Sequence, residues 1–85
     1  MDKYELANKI FQKALEIDRT TKHDVFVYFH GNAKSFEVDV HKNGWRSKAT
    51  PDYSARVYFD VELSSIDDFK EILDYLSELE ENKWI

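Results

Sequence analysis

The spacing of apolar residues changes period twice along the chain. Over residues 3–18, Ala7, Ile10, Phe11, Ala14, Leu15 and Ile17 recur at helical spacing, which predicts an amphipathic helix. Asp2 with Glu5 three positions later reads as a capping box at its start. Three runs then follow the two-residue alternation of strands, over 25–29, 36–40 and about 55–62. The helical period returns at about 66–81, where Ile66, Phe69, Ile72, Leu73, Leu76 and Leu79 form one stripe. Ser65, or Ser64 with Asp67, supplies the expected N-cap.

The alternation also selects a register. Opposing Val25 with Val40, Val27 with Val38 and Phe29 with Phe36 puts three apolar pairs on one face, whereas a one-residue slip would turn charges inward. In the third run Ala55, Val57, Phe59, Val61 and Leu63 point one way, and Ser54, Arg56, Tyr58, Asp60 and Glu62 the other. Asn43-Gly44 reads as a type I′ turn, since both residue types tolerate positive φ. It could open a short fourth strand over 45–48. The expected fold is α+β: a single αβββα domain over 1–85 whose three-stranded antiparallel sheet is roofed on one face by both helices. The other face is then open to water.

Size and composition narrow the class. A chain of 85 residues makes one small domain, which buries roughly 60–65% of its unfolded surface and needs a well-filled core. Six Phe, five Tyr and two Trp supply bulk for it. The absence of Cys removes disulfides and thiolate metal sites. No leader-like apolar segment follows Met1 and no apolar run is long enough to span a bilayer, so a cytoplasmic protein is expected. The net charge of −5 is concentrated at the C-terminal end, where residues 64–85 carry seven acids against two lysines.

Four features are candidates for function. Asp67, Glu71, Asp74, Glu78 and Glu81 recur every three or four residues, on one line of the second helix opposite its apolar stripe. That line is either a solvated outer face or a surface for a basic partner. Acids late in a helix oppose its dipole, and like charges four apart repel by roughly 0.2–0.5 kcal/mol. Their placement there therefore suggests a use. The open sheet face carries Phe26, Tyr28 and Tyr58 beside Arg56. It is either covered by Trp45 or Tyr53 of the 42–53 loop, or is a partner-binding patch, through which a second copy could also dock. Lys42, Arg46 and Lys48 surround Trp45, a basic and aromatic mixture able to grip single-stranded nucleic acid; the competing reading makes Trp45 an anchor for a long loop. The three His read as surface residues, because His30 and His41 fall at opposite ends of the hairpin and cannot share a metal. No catalytic residue, cofactor site or metal site emerges. Gly-rich phosphate loops and Cys nucleophiles are absent, and no carboxylate has a visible pKa-raising partner.

The element order, with Phe36-Glu37-Val38-Asp39-Val40 as second strand, resembles double-stranded-RNA-binding domains. That family contacts RNA through helix 1, a Gly-Pro-x-His loop and a Lys-rich start to helix 2. This chain has Gly31-Asn32-Ala33-Lys34 and Ser65-Ile66-Asp67-Asp68 at the last two places, so the contact motifs are missing. Size, element order, the acidic stripe and the Asn43-Gly44-Trp45 turn are also similar to small acidic αβββα proteins of phages and prophages of Gram-positive bacteria. Some of these inhibit CRISPR nucleases, and the likeness implies an inhibitor or adaptor role. The expectation is a small non-enzymatic protein-binding module that presents its acidic helix to a basic partner. The alternative is a nucleic-acid-binding domain using the 42–48 loop.

Overall fold

The computed structural model describes residues 2–47, 49–60 and 62–81. Among them the order is α1 (Lys3–Thr20), β1 (Asp24–His30), β2 (Ser35–His41), β3 (Tyr53–Tyr58) and α2 (Ile66–Glu81). The strands form one antiparallel sheet in the order β1-β2-β3. This is the αβββα arrangement that the periodicities imply.

The β1–β2 register is the one the apolar alternation selects, with Val25 opposite Val40, Val27 opposite Val38 and Phe29 opposite Phe36. On β2, the central strand, Val38 and Val40 are wholly buried. Ile10 and Ile17 of α1 and Phe69, Ile72 and Leu76 of α2 complete the core above them. The helices lie side by side and run in the same direction. Lys3 sits over the Phe69 ring near both helix starts, and Lys13 reaches Glu80 near the far end of α2. α1 rests on β1, and α2 packs beside α1 on the β3 side of the sheet, where Tyr75 stacks on Tyr53.

Local chemistry sets the ends. Asp2 Oδ1 accepts from Glu5 N at 2.8 Å and Glu5 Oε1 accepts from Asp2 N at 3.4 Å, closing the capping box. α2 begins on the same device, with Ser65, the first of the two expected choices, as its N-cap. Ser65 Oγ accepts from Asp68 N, and Asp68 Oδ2 accepts from Ser65 N at 2.8 Å. Asn43 and Gly44 both have positive φ, but the closing bond runs from Gly44 N to His41 O. The chain then leaves as a loop: residues 45–47 form no strand, and Lys48 lies outside the described residues. β3 starts two residues earlier than expected and stops at Tyr58, because Asp60 turns the chain by accepting from Glu62, Leu63 and Ser64 backbone N–H groups. Leu63 is consequently exposed rather than continuing the inner face of the strand. Val61 and Trp84-Ile85 lie outside the described residues.

The α1 stripe is rotated from the expected one. Leu6 is buried with Ala7, Ile10, Ala14 and Ile17, while Phe11 and Leu15 are exposed. The cause is position: α1 lies over an edge strand, and no further strand extends beneath its outer flank. Lys3 is the other surprise. It is buried, and its ammonium donates to the carbonyls of Tyr58 at 3.4 Å, Asp60 at 3.0 Å and Ser64. All three of its protons are thus used, pinning the start of α1 to the β3–α2 connection. Lys3→Met should therefore lower unfolding free energy by about 2–4 kcal/mol, since the carbonyls lose a charged donor. Urea denaturation followed by circular dichroism measures this.

Candidate functional site

Asp67, Glu71, Asp74, Glu78 and Glu81 are all exposed on α2. The ion pairs of the described residues are Lys13–Glu80, Arg19–Glu16 and Arg56–Glu37, none of which draws on Asp67, Glu71, Asp74 or Glu81. The helix has no basic residue in its last turn, so its negative end is met by further negative charge.

Phe26, Tyr28 and Tyr58 share the open face of the sheet, as the register requires. There β1 carries a row of rings. Phe26 stacks on Tyr28 with centroids 6.5 Å apart, Tyr28 stacks on His30 at 6.3 Å, and the buried His41 meets Phe26 edge-on at 5.6 Å. His41 is thus not the surface residue that the sequence suggested. Of the two candidate covers, Tyr53 does not lie over this row. Tyr53 is on the opposite face, stacked on Tyr75 at 3.8 Å, and Trp45 is 55% exposed. Phe26 is partly buried, with Tyr28 and His41 as ring neighbours.

The remainder of the open face is polar and largely paired, although the buried Ser35 Oγ has no hydrogen-bond partner among the described residues. Arg56 donates to Glu37 Oε1 through Nη2 at 2.6 Å, and Ser54 Oγ donates to Asp39 Oδ1 at 2.5 Å. The hydrogen bond from Arg56 holds the Glu37 carboxyl below its ordinary value of 4.5. Burial pushes the neighbouring Asp39 the other way, above 3.8, and the nearby Glu37 charge adds to that rise.

The acidic helix and the open face look in different directions, but they approach each other around the β3 edge. A shallow cleft there is lined by Arg56 and Tyr58 of β3 and by Asp68 and Glu71 of α2. Glu71 also bears on Tyr53, whose hydroxyl pKa is raised by burial first and then by Tyr75 and Glu71. Of the proposed surface residues, Glu71 and Tyr58 are therefore brought together, while Phe26 and Tyr28 lie on the strand at the opposite edge.

The loop residues are not gathered into one patch. The Lys42 ammonium lies 5.9 Å over the Tyr75 ring, against α2. Trp45 is tied down by its backbone, whose N–H donates to Asp24 Oδ2 at 2.7 Å, and its side chain is about half exposed. Arg46 is exposed, and Lys48 lies outside the described residues. Asp52 closes the loop by accepting from Lys42 N at 2.7 Å. Among the described residues no group of three or more His, Cys, Asp or Glu could hold a metal ion, and no helix is long and apolar enough to cross a membrane.

The two shifted carboxylates give opposite pH signatures. Glu37 titrates lower in the folded chain than in the unfolded one. It therefore contributes stability above about pH 4.5, lost as pH falls through the lower folded value. Asp39, raised on folding, contributes the reverse slope. Urea midpoints across this acid range should fall less steeply for Glu37→Gln than for wild type, and more steeply for Asp39→Asn. No protein-family model, curated protein or solved structure gives a significant match to this chain.

Proposed function

We propose that the chain is a non-enzymatic, cytoplasmic protein-binding module, an adaptor or inhibitor of the kind found in phages, that offers the outer face of α2 to a basic partner. The observation that carries this reading is the row of exposed carboxylates at Asp67, Glu71, Asp74, Glu78 and Glu81 on a helix lacking basic residues in its last turn. Such a row repels itself at neutral pH, and an opposing basic surface relieves that repulsion. The cleft beside Glu71 extends the surface, since Tyr58 and Arg56 are residue types that anchor interfaces. The shifted carboxylates Glu37 and Asp39 lie on the open sheet face, paired with Arg56 and Ser54, and not in an enclosed pocket suited to acid–base chemistry.

A second reading rests on Trp45, whose exposed ring next to Arg46 could stack on a single-stranded base. Quenching of Trp45 fluorescence by oligonucleotide at low salt, with a steep salt slope, would favour it over the protein-binding reading.

Affinity capture with the immobilised chain tests the leading proposal. The Glu71→Lys, Asp74→Lys, Glu78→Lys triple variant should lose partners that the wild type retains. Wild-type recovery should also decline as salt shortens the screening length to about 10 Å at 0.1 M. Equal recovery by both proteins would overturn the acidic-face reading.

A further inference from the structure

The two edges of the sheet are treated differently. At the β3 edge the outward groups of Tyr58 are occupied by the chain itself: its N–H donates to Ser64 Oγ at 3.0 Å, and its carbonyl accepts from Lys3 Nζ at 3.4 Å. At the β1 edge nothing comparable occurs among the described residues. Phe59 N donates to Lys34 O, so antiparallel alternation makes the even residues of β2 bond to β3 and the odd ones to β1. Across the register, Asp24, Phe26, Tyr28 and His30 then bond to β2, and the backbone groups of Val25, Val27 and Phe29 face outward. Sheet edges are ordinarily guarded by Lys, Pro, a bulge or a covering segment. Residues 25–29 contain no charge and no Pro, and the pairing with β2 is continuous.

The flank above this edge is apolar as well. Tyr4 and Phe11 of α1 line a groove of about 340 Å³ with Val27 and Phe29. Tyr4, Phe11, Leu15 and Phe29 are each about half exposed. The charged residues Lys9, Lys13 and Glu16 line the opposite flank of α1, toward Leu73 and Ser77 of α2.

We propose that two copies of the chain pair antiparallel through β1, edge to edge, about a twofold axis at Val27. The strand Asp24-Val25-Phe26-Val27-Tyr28-Phe29-His30 is complementary to itself in this register. Val27 meets Val27 of the second copy, Val25 meets Phe29, and Phe26 meets Tyr28. Asp24 meets His30 at both ends, an acid opposite an imidazole. The outward N–H and carbonyl groups of Val25, Val27 and Phe29 find partners, and the ring rows of the two open faces become continuous. The acidic face of α2 does not oppose the joint, because α2 lies along β3, at the far edge. Three half-exposed aromatics present roughly 100 Å² each on the scale of such side chains. With Leu15 and a seven-residue strand, two copies approach the roughly 1,200 Å² at which stable interfaces begin. The pairing is independent of whatever binds α2.

Sedimentation equilibrium of the full chain over rising concentration should give twice the chain mass, and amide exchange at Val25, Val27 and Phe29 should slow in step. Phe29→Lys, at an exposed position, should keep the circular dichroism of the wild type and weaken association by about tenfold or more. The chain has no Cys, which permits a test of register. Opposed, non-bonded strand residues have Cα atoms about 4.5 Å apart, within disulfide reach. An equimolar mixture of Phe26→Cys and Tyr28→Cys should therefore oxidise mainly to the mixed dimer. A monomeric mass at every concentration, unaltered association of folded Phe29→Lys, or cross-linking of Phe26→Cys alone as readily as the mixture would each overturn the proposal. The last would indicate face-to-face stacking or pairing with another strand.

Discussion

The structure depends on the one-sidedness of its sheet. Val25, Val27, Phe36, Val38, Val40 and Val57 share one face with Phe29, and that face cannot be left in water. Two helices among the described residues cover it, and their stripes meet the sheet at Ile10, Ile17, Phe69 and Leu76. Once both helices are committed to that side, the opposite side must remain open. The outer lines of the helices face solvent for the same reason. The exposure of the α2 carboxylates is thus a consequence of core formation, available to be used.

Three strands and two parallel helices leave boundaries, and the chain closes them unequally. Lys3 brings a charge into the region where α1, β3 and α2 converge, and saturates three carbonyls that the Asp60 turn leaves pointing inward. A long flexible stem ending in three donors suits that junction. Phe59 fills the space nearby, stacked on Tyr4 at 4.3 Å and set against Phe29, Phe36 and Phe69. The β1 side receives no such closure. Its outward backbone groups and the exposed rings above them form one continuous surface, on the opposite edge from the cleft that joins α2 to Tyr58. A protein built this way has two separate surfaces, one apolar and hydrogen-bonding, one acidic.

Elements governed by strict periodicity were legible in the residues. The β1–β2 register follows from alternation, because any slip puts Glu37 or Asp39 inside. The limits of α2 follow from its stripe and the serine before it. What escaped was whatever depends on which element lies beside which. A helical stripe of Ala7, Ile10, Phe11, Ala14 and Leu15 does not reveal that its outer flank overhangs an edge strand. Nothing in the position of Lys3 distinguishes it from an ordinary first-turn lysine. Tyr53 and Tyr75, 22 positions apart in sequence, stack with no local signal. For the site, the sequence placed Phe26, Tyr28 and Tyr58 on one face and the five carboxylates on one line. It did not show that Glu71 and Tyr58 border a common cleft, nor that Lys42 turns toward α2 and leaves Trp45.

The most direct test of the one-sided arrangement is nuclear Overhauser spectroscopy on the isotopically labelled chain. The account predicts cross-peaks from Ile10 and Phe69 into the Val38 and Val40 methyls, and none from either helix to the rings of Phe26 and Tyr28. Cross-peaks placing α1 or α2 side chains against Phe26 and Tyr28 would contradict it.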